Sequence, residues 1–464
     1  MGLQSLLKQF IYQSDTSDQK PVIFHYEWNR EGEKSRIHLR LDPDGKGTLI
    51  VNANRIYHLN PTATLMAQFA LAEQPARSAV RALRSAYKVS NEQAQADYAN
   101  FSVELNEIIR PDGACPICDL DVELNDPFSD RPAVPYRMDL ALTYRCNNDC
   151  PHCYNVSTRD DPELTTEQWM QIIDQLWALG VPHIVFTGGE PTLRADLPEL
   201  IAHAEGNGQI TGMNTNGRRL SDPAYVETLV NAGLDHVQIT LESHDPQIHD
   251  QMVARKGAWK QTVKGIQNAL DTRLYVMTNT TMLENNAATL SQTLDFLAEL
   301  GVPTVGLNAL IYSGRGATVG TGIKEEALPA LMDLASSKTK HNHQKLIWYT
   351  PTQYCHFDPV QMNLGVKGCT AALYNMCIEP DGGVLPCQSY YRQVGNILKD
   401  NWQSIWEHDL CVWLRDRQYV PEGCNSCTLL QECGGGCPLR LESLQNLPQF
   451  VPVSALSVPT SLQP

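Results

Sequence analysis

The 464-residue sequence has no uninterrupted run of about 20 apolar residues, which excludes a membrane-spanning helix. It is short of positive charge. Its 36 Lys and Arg stand against 52 Asp and Glu, a formal net charge of −16. Neutralising phosphates takes clustered Lys and Arg, so nucleic acid is not an expected partner. The opening residues, MGLQSLLKQF, are too few and too polar for a secretory signal. Leu6 falls where a myristoylation motif has Ser or Thr, so Gly2 is not expected to carry a lipid. No internal repeat is present. A cytoplasmic protein with no membrane partner is expected, built from two to four domains.

Cysteine, by contrast, is abundant. The fourteen are Cys115, Cys118, Cys146, Cys150, Cys153, Cys355, Cys369, Cys377, Cys387, Cys411, Cys424, Cys427, Cys433 and Cys437. In a reducing compartment such a set reads as metal or cluster ligation rather than as a disulfide framework.

Pattern divides the chain into regions. Residues 22–59 hold strand-like runs, VIFHYEW, RIHLRL, GTLIV and RIYHL, separated by polar or glycine turns such as DPDGKG. Asn60-Pro61-Thr62 starts a helix with Asn60 as its cap, and a second helix is expected from Pro75 to Tyr87. A third follows a cap at Ser90 and reaches Ile108. Residues 1–110 thus read as an α+β unit, and 111–135 as a Pro- and Asp-rich bridge carrying Cys115 and Cys118. From 136 to 345 strands alternate with helices. The strands are expected at Met138–Thr143, His183–Thr187, Gly212–Asn216, His236–Leu241, Leu274–Thr281 and Val305–Ile311. Six βα units argue for a parallel sheet curled into an open, partial barrel. Residues 346–440 are loop-rich and dominated by Cys, and 441–464 read as a disordered tail.

The segment LALTYRCNNDCPHCYN places Cys146, Cys150 and Cys153 in a CxxxCxxC spacing directly after a strand. Three thiolates around a [4Fe–4S] cube leave one iron without a protein ligand, and an open site lets a metal bind and activate a small molecule. A zinc knuckle is the plainer alternative, but zinc usually takes four ligands in CxxC pairs. The spacing resembles the radical S-adenosylmethionine (SAM) superfamily. That resemblance implies that Cys146, Cys150 and Cys153 hold the cluster while SAM chelates its open iron. Reductive cleavage of SAM then gives a 5′-deoxyadenosyl radical. The segment Phe186-Thr187-Gly188-Gly189-Glu190-Pro191 ends the second strand about 35 residues later. In the superfamily this stretch holds the methionyl amine, and its glycines let backbone approach a ligand. Asn214, Asn216, Thr240 and Glu242, at two further strand ends, are candidate SAM contacts. Each is open to a capping or turn role instead. His152 lies where the family has an aromatic residue near the adenine. His249 and Asp250 resemble a recurring structural pair.

The C-terminal spacing is also specific. Cys369 is followed by twelve residues, Gly382, four residues and Cys387, and then by Cys424-x2-Cys427-x5-Cys433-x3-Cys437. This resembles the SPASM extension, which binds two auxiliary [4Fe–4S] clusters. The resemblance implies Cys369, Cys387 and Cys437 for the first, with Cys377 as its natural fourth ligand. It implies Cys424, Cys427 and Cys433 for the second. The family has a further Cys after the last CxxxC, and none follows Cys437 here. The bridge, through Cys115 or Cys118, is one candidate for the missing ligand. A second possibility is Cys377 on neither cluster with a bridge Cys on the first, and a third is an open iron that binds substrate. A zinc ribbon pairing Cys115-x2-Cys118 with Cys424-x2-Cys427 is a rival reading. Cys355 and Cys411 are expected to be plain thiols.

The N-terminal unit resembles the PqqD-like peptide-chaperone domain of pyrroloquinoline quinone assembly, on LIVNANRIYHLNPTATLMAQFALAE and the helical pair after it. A winged-helix-like wing with a purely structural role is the alternative. In that family the leader of a ribosomal precursor peptide adds as a strand to the sheet edge and packs on the third helix. The combined expectation is an α/β radical SAM enzyme: a winged-helix-like domain, a partial (β/α)6 barrel and a loop-rich SPASM domain. It would cross-link or oxidise a ribosomal precursor peptide, with flavodoxin or ferredoxin as electron donor. A tetrapyrrole-type enzyme, a sulfatase maturase and an idle peptide-binding protein are the alternatives. Asn308, Tyr312, Arg315 and Gln388 fall near the expected mouth, and none is singled out as a base.

Overall fold

The computed structural model describes residues 21–30, 33–52, 55–110, 131–155 and 162–444. Cys115 and Cys118 lie outside the described residues, as does the tail beyond 444. The chain divides into two compact units. One is residues 1–125 together with 174–182 and 207–210; the other is the remainder.

The first unit is a four-stranded antiparallel meander, β1 (Val22–Arg30), β2 (Glu33–Leu41), β3 (Gly47–Val51) and β4 (Arg55–Leu59), in the order 1-2-3-4. Gly45, at φ +84°, takes the left-handed turn position between β2 and β3 that disfavours a Cβ. Three helices follow: α1 (Pro61–Leu71), α2 (Ala76–Ala86) and α3 (Asn91–Ile108). Asn60 caps α1 by accepting from the Ala63 amide at 2.8 Å, and Ser90 caps α3 by accepting from Gln93 at 3.1 Å. Pro75, expected as the first helical residue, stands instead at the cap of α2, which starts at Ala76. Alternate residues Ile37 and Leu39 of β2, with Leu49 and Val51 of β3, pack against Ala67, Leu105 and Ile109. Leu65, Phe69, Val80, Leu83 and Tyr98 close the helices on one another.

The second unit carries a ten-stranded sheet. Six parallel strands follow in chain order: β5 (Arg137–Thr143), β6 (His183–Gly188), β7 (Ile210–Thr215), β8 (His236–Thr240), β9 (Tyr275–Met282) and β10 (Thr304–Ala309). A helix lies in each connection between them, as parallel connections require. The expected six are extended at both edges. β11 (Lys345–Trp348) adds in parallel beside β10 and crosses the expected boundary at 345. On the other edge β12 (Asn375–Ile378) pairs in parallel with β5, and β13 (Gly383–Leu385) and β14 (Gly395–Asn396) continue antiparallel. The linear strand order leaves the barrel open. The rest of the C-terminal region is loops and short helices, the last being Pro438–Ser443, which passes the expected boundary at 440. No helix among the described residues is long and apolar enough to cross a membrane.

Parity along the strands decides what faces the barrel interior. On β8, His236, Gln238 and Thr240 are half-buried while Val237 and Ile239 are buried. The buried pair faces the helices and the other three face the lumen. Register carries this to Asn214 opposite Gln238, and to Asn279 opposite Thr240. The lumen is therefore polar toward the C-terminal strand ends, where ligand sites gather in such barrels.

Candidate active site

The loop leaving β5 carries the first cysteine triplet. It is held from three sides. From the β7 end, Arg218 donates to Asn147 O at 2.6 Å and to Asn148 Oδ1 at 3.0 Å, and Asn216 Nδ2 donates to Asn147 Oδ1 at 2.6 Å. From the helix after β8, Val253 O accepts from the Asp149 amide at 3.0 Å. From the turn after β10, Arg315 pairs with Asp149 at 2.7 Å and the Gly316 amide donates to Cys153 O at 3.1 Å. That turn presses close. A Cβ on Gly314 would meet Tyr154 O at 2.5 Å, and one on Gly316 would lie 3.1 Å from His152 O.

The thiols are electrostatically coupled. Burial first, then the charges of Cys153, Glu242 and Cys146, push the Cys150 thiol well up. A loop that crowds thiols together favours thiolates once a cationic centre joins them. Among the described residues no three His, Cys, Asp or Glu converge closely enough to hold a single ion. A four-iron cube does not ask for that convergence, because each thiolate binds a different corner. The donor set fits such a cube.

The GGEP segment serves the loop before any ligand. A Cβ on Gly188 would sit 2.2 Å from Thr143 O, and one on Gly189 2.4 Å from Arg145 O. The Gly189 and Glu190 amides donate to Thr143 O at 2.7 Å and Arg145 O at 2.9 Å. These glycines let the end of β6 lie directly on the start of the cysteine loop. The Glu190 carboxylate is fully buried and accepts mainly through Oε1. It accepts from Thr192 N at 3.2 Å, Thr192 Oγ1 at 2.6 Å, Thr215 Oγ1 at 2.7 Å and Asn216 N at 2.8 Å. Burial outweighs those four bonds and raises its pKa. Its bonds to Thr215 and Asn216 tie β6 to β7. Pro191 opens the short helical turn that follows, and Thr187 is buried beneath it. Asn216, expected at SAM, spends its side chain on Asn147 and on the Arg218 amide.

Two candidates that the sequence placed separately meet. His152 Nε2 lies 3.0 Å from Glu242 Oε1, and Glu242 Oε2 accepts from Thr281 N at 2.9 Å. The Glu242 amide donates to His249 Nδ1 at 3.2 Å, and Asp250 accepts from Trp259 N at 2.8 Å, so the His-Asp pair fixes the backbone here. Asn214 and Thr240 remain on the lumen face, half-buried. Arg218 was missed by sequence reasoning. Its signal, a charged residue just after Asn214-Thr215-Asn216-Gly217, points to a purpose only once the loop beside it is known.

The C-terminal thiols fall into two neighbourhoods. Cys369 feels Cys437 and Cys387, and Cys387 feels Cys437 in turn. Cys377 stands apart on β12, packed with Ala141, Tyr144 and Leu385, where Asp139 and Cys387 act on it. Its Sγ meets Ile378 O at 3.7 Å. The other neighbourhood joins Cys424, Cys427 and Cys433, with Cys355 beside them. Cys411 is buried in the helix Asp409–Arg415, its thiol pushed up to about 12 by burial, which suits an inert core thiol.

Comparison with known proteins agrees with this arrangement. Residues 140–308 match the radical SAM superfamily, and residues 369–428 match the SPASM iron–sulfur cluster-binding domain. The chain thus carries a radical SAM domain followed by a SPASM domain, the make-up of an enzyme, and these domains fit SAM, a radical SAM [4Fe–4S] cluster and auxiliary clusters. It is 28% identical over 322 residues to the PqqA peptide cyclase of Rhizobium meliloti, covering 67% of this chain and 84% of that protein. It is also 28% identical over 337 residues to the Fe-coproporphyrin III synthase of Methanosarcina barkeri, covering 65% and 83%. In fold it matches Streptococcus suis SuiB bound to the precursor peptide SuiA, with a TM-score of 0.66 at 16% identity, over 90% of this chain and 97% of that one. It matches anSMEcpe with bound AdoMet at 0.54 and 16%, over 66% of this chain.

Proposed function

We propose that this enzyme modifies a ribosomally made precursor peptide, recognised through its leader by the N-terminal unit. The observation that carries the reading is the reach of the SuiB match. It covers 90% of the chain, a share that residues beyond Arg110 alone could not fill, whereas the anSMEcpe match covers 66%. The N-terminal unit supports it. β4 is an edge strand that pairs with β3, and it presents Ile56. Val103 of α3 is 66% exposed. An edge strand with an exposed apolar side chain suits strand addition by a peptide. A groove of about 700 Å³ between α2 and α3 is lined in part by Arg77, Arg81, Arg84 and Tyr98, which favours an acidic leader.

When bound, the cluster at Cys146, Cys150 and Cys153 supplies the electron that cleaves SAM reductively. The chain's part is to hold that loop and shape the lumen. Arg218 and Asn216 fix the loop, Glu242 orients His152, and Asn214 and Thr240 offer polar contacts at the strand ends. His152, Thr187, Gly188, Gly189, Glu190 and Pro191 frame the SAM side of the mouth. A flavodoxin or ferredoxin would deliver the electron.

The second reading is a tetrapyrrole enzyme. It draws on the Methanosarcina barkeri relative, whose similarity equals that of the peptide cyclase. The full chain with SAM, reductant and a candidate precursor peptide bearing an acidic leader separates the two. A SAM-dependent mass change in the peptide, weakened in an Arg81→Glu variant, supports the first. No peptide binding, with turnover of an iron porphyrin, would replace it by the second.

A further inference from the structure

We propose that Cys355 is the fourth ligand of the second auxiliary cluster, completing a set with Cys424, Cys427 and Cys433. The assignment rests on the SPASM reading of the C-terminal region and fills the ligand its spacing leaves out.

Three contacts bring the Cys355 segment to Cys433 and the loop that follows it. The Tyr354 amide, one residue before Cys355, donates to Cys433 Sγ at 3.4 Å. That sulfur also meets Thr352 O at 3.7 Å. On the next loop a Cβ at Gly436, where φ is +91°, would lie 3.2 Å from Gln353 Cγ and 3.3 Å from Gln353 N, so the two backbones touch there. The four thiols act on one another: Cys355 feels Cys424 and Cys427, and Cys433 feels Cys355 and Cys427.

The segment is also held in place. Tyr354 is buried, and its hydroxyl accepts from the Lys367 amide at 2.8 Å. Phe357 is buried against Trp348, with ring centroids 5.4 Å apart. The Phe357 and His356 amides both donate to Gln353 O, closing a turn around Cys355. Cys355 itself is exposed between these two anchors, as Cys427 is. A thiol on a turn anchored at both ends is preorganised for ligation, where a thiol on a free tail would lose entropy on binding. On the other side the Cys427 amide donates to Cys424 O at 3.0 Å, the turn that lets a CxxC pair face one centre.

The test uses the full chain, reconstituted anaerobically with iron and sulfide. Wild type is expected to hold about twelve irons. Cys355→Ala is expected to lose up to about four, or to show a [3Fe–4S] signal on oxidation, while still cleaving SAM. Cys355→Ser, which keeps a weaker oxygen donor, is expected to retain more iron than Cys355→Ala. Mass spectrometry after iodoacetamide should find Cys355 alkylated in the cluster-free chain and protected in the loaded one. Full iron in Cys355→Ala with an unchanged spectrum, or loss confined to Cys115→Ala or Cys118→Ala, would overturn the assignment. Wild type with only about four irons would instead overturn the SPASM reading beneath it.

Discussion

The first cysteine triplet and the second auxiliary group use the same chemistry but are assembled differently. Cys146, Cys150 and Cys153 sit on one loop, and the fold's task is to clamp that loop through Arg218, Asn216, Val253 and Arg315. Cys424, Cys427 and Cys433 also share a short stretch, but Cys355 reaches them from a distant segment through Tyr354 and Gly436. In the first case spacing carries the ligand set and tertiary structure carries only its rigidity. In the second, tertiary structure carries part of the ligand set itself.

The largest effect should come from breaking the local set. Cys150→Ala is expected to lose about four irons and all SAM cleavage, with the auxiliary spectrum unchanged. Iron and 5′-deoxyadenosine measured together check this, and surviving SAM cleavage would remove the triplet from the reaction. A smaller effect should come from loosening the clamp. Arg218→Ala leaves every thiol in place but removes the bonds to Asn147 O, Asn148 Oδ1 and Gln261 Oε1. Full iron with SAM cleavage slowed by about 10²-fold is expected, since misplacing a reacting group by an ångström costs on that scale. Unchanged cleavage would mean that the loop is rigid without its clamp.

The smallest effect is a control away from both cysteine regions. His38 is buried in the N-terminal unit, with Nε2 2.7 Å from Gly208 O. Nδ1 has no partner among the described residues. Burial is the main reason that its pKa is pushed down from 6.5 to about 3. The unfolded chain takes up a proton below about pH 6.5 that the folded unit refuses. Stability is therefore present in full above that value and is lost as pH falls toward 3, by at most about 1.4 kcal/mol per pH unit. His38→Gln keeps a donor for Gly208 O and removes the titration. Its urea midpoint should fall less than that of wild type between pH 7 and pH 5. An equal fall in both would assign the acid sensitivity elsewhere.

Much of this was legible in sequence. Strand alternation set out six parallel strands, because periodicity and βα spacing are local properties. The caps at Asn60 and Ser90 were readable for the same reason. β11 and β12 were not, since four-residue strands added at a sheet edge have too little pattern to announce themselves. At the site the motif residues were legible, and the structure adds contacts that the motif does not announce. Glu190 also accepts from its neighbour Thr192 and from Thr215 and Asn216, and the last two are partners that only the strand order brings close. Gly188 and Gly189 looked ready for a ligand and first make room for Thr143 and Arg145. Cys355 looked incidental because nothing adjacent to it in sequence is a ligand.

The most direct test of the central claim is iron counting with SAM cleavage on the anaerobically reconstituted full chain. About twelve irons per chain, with 5′-deoxyadenosine formed on reduction, is the predicted result. About four irons, or no 5′-deoxyadenosine, would contradict it.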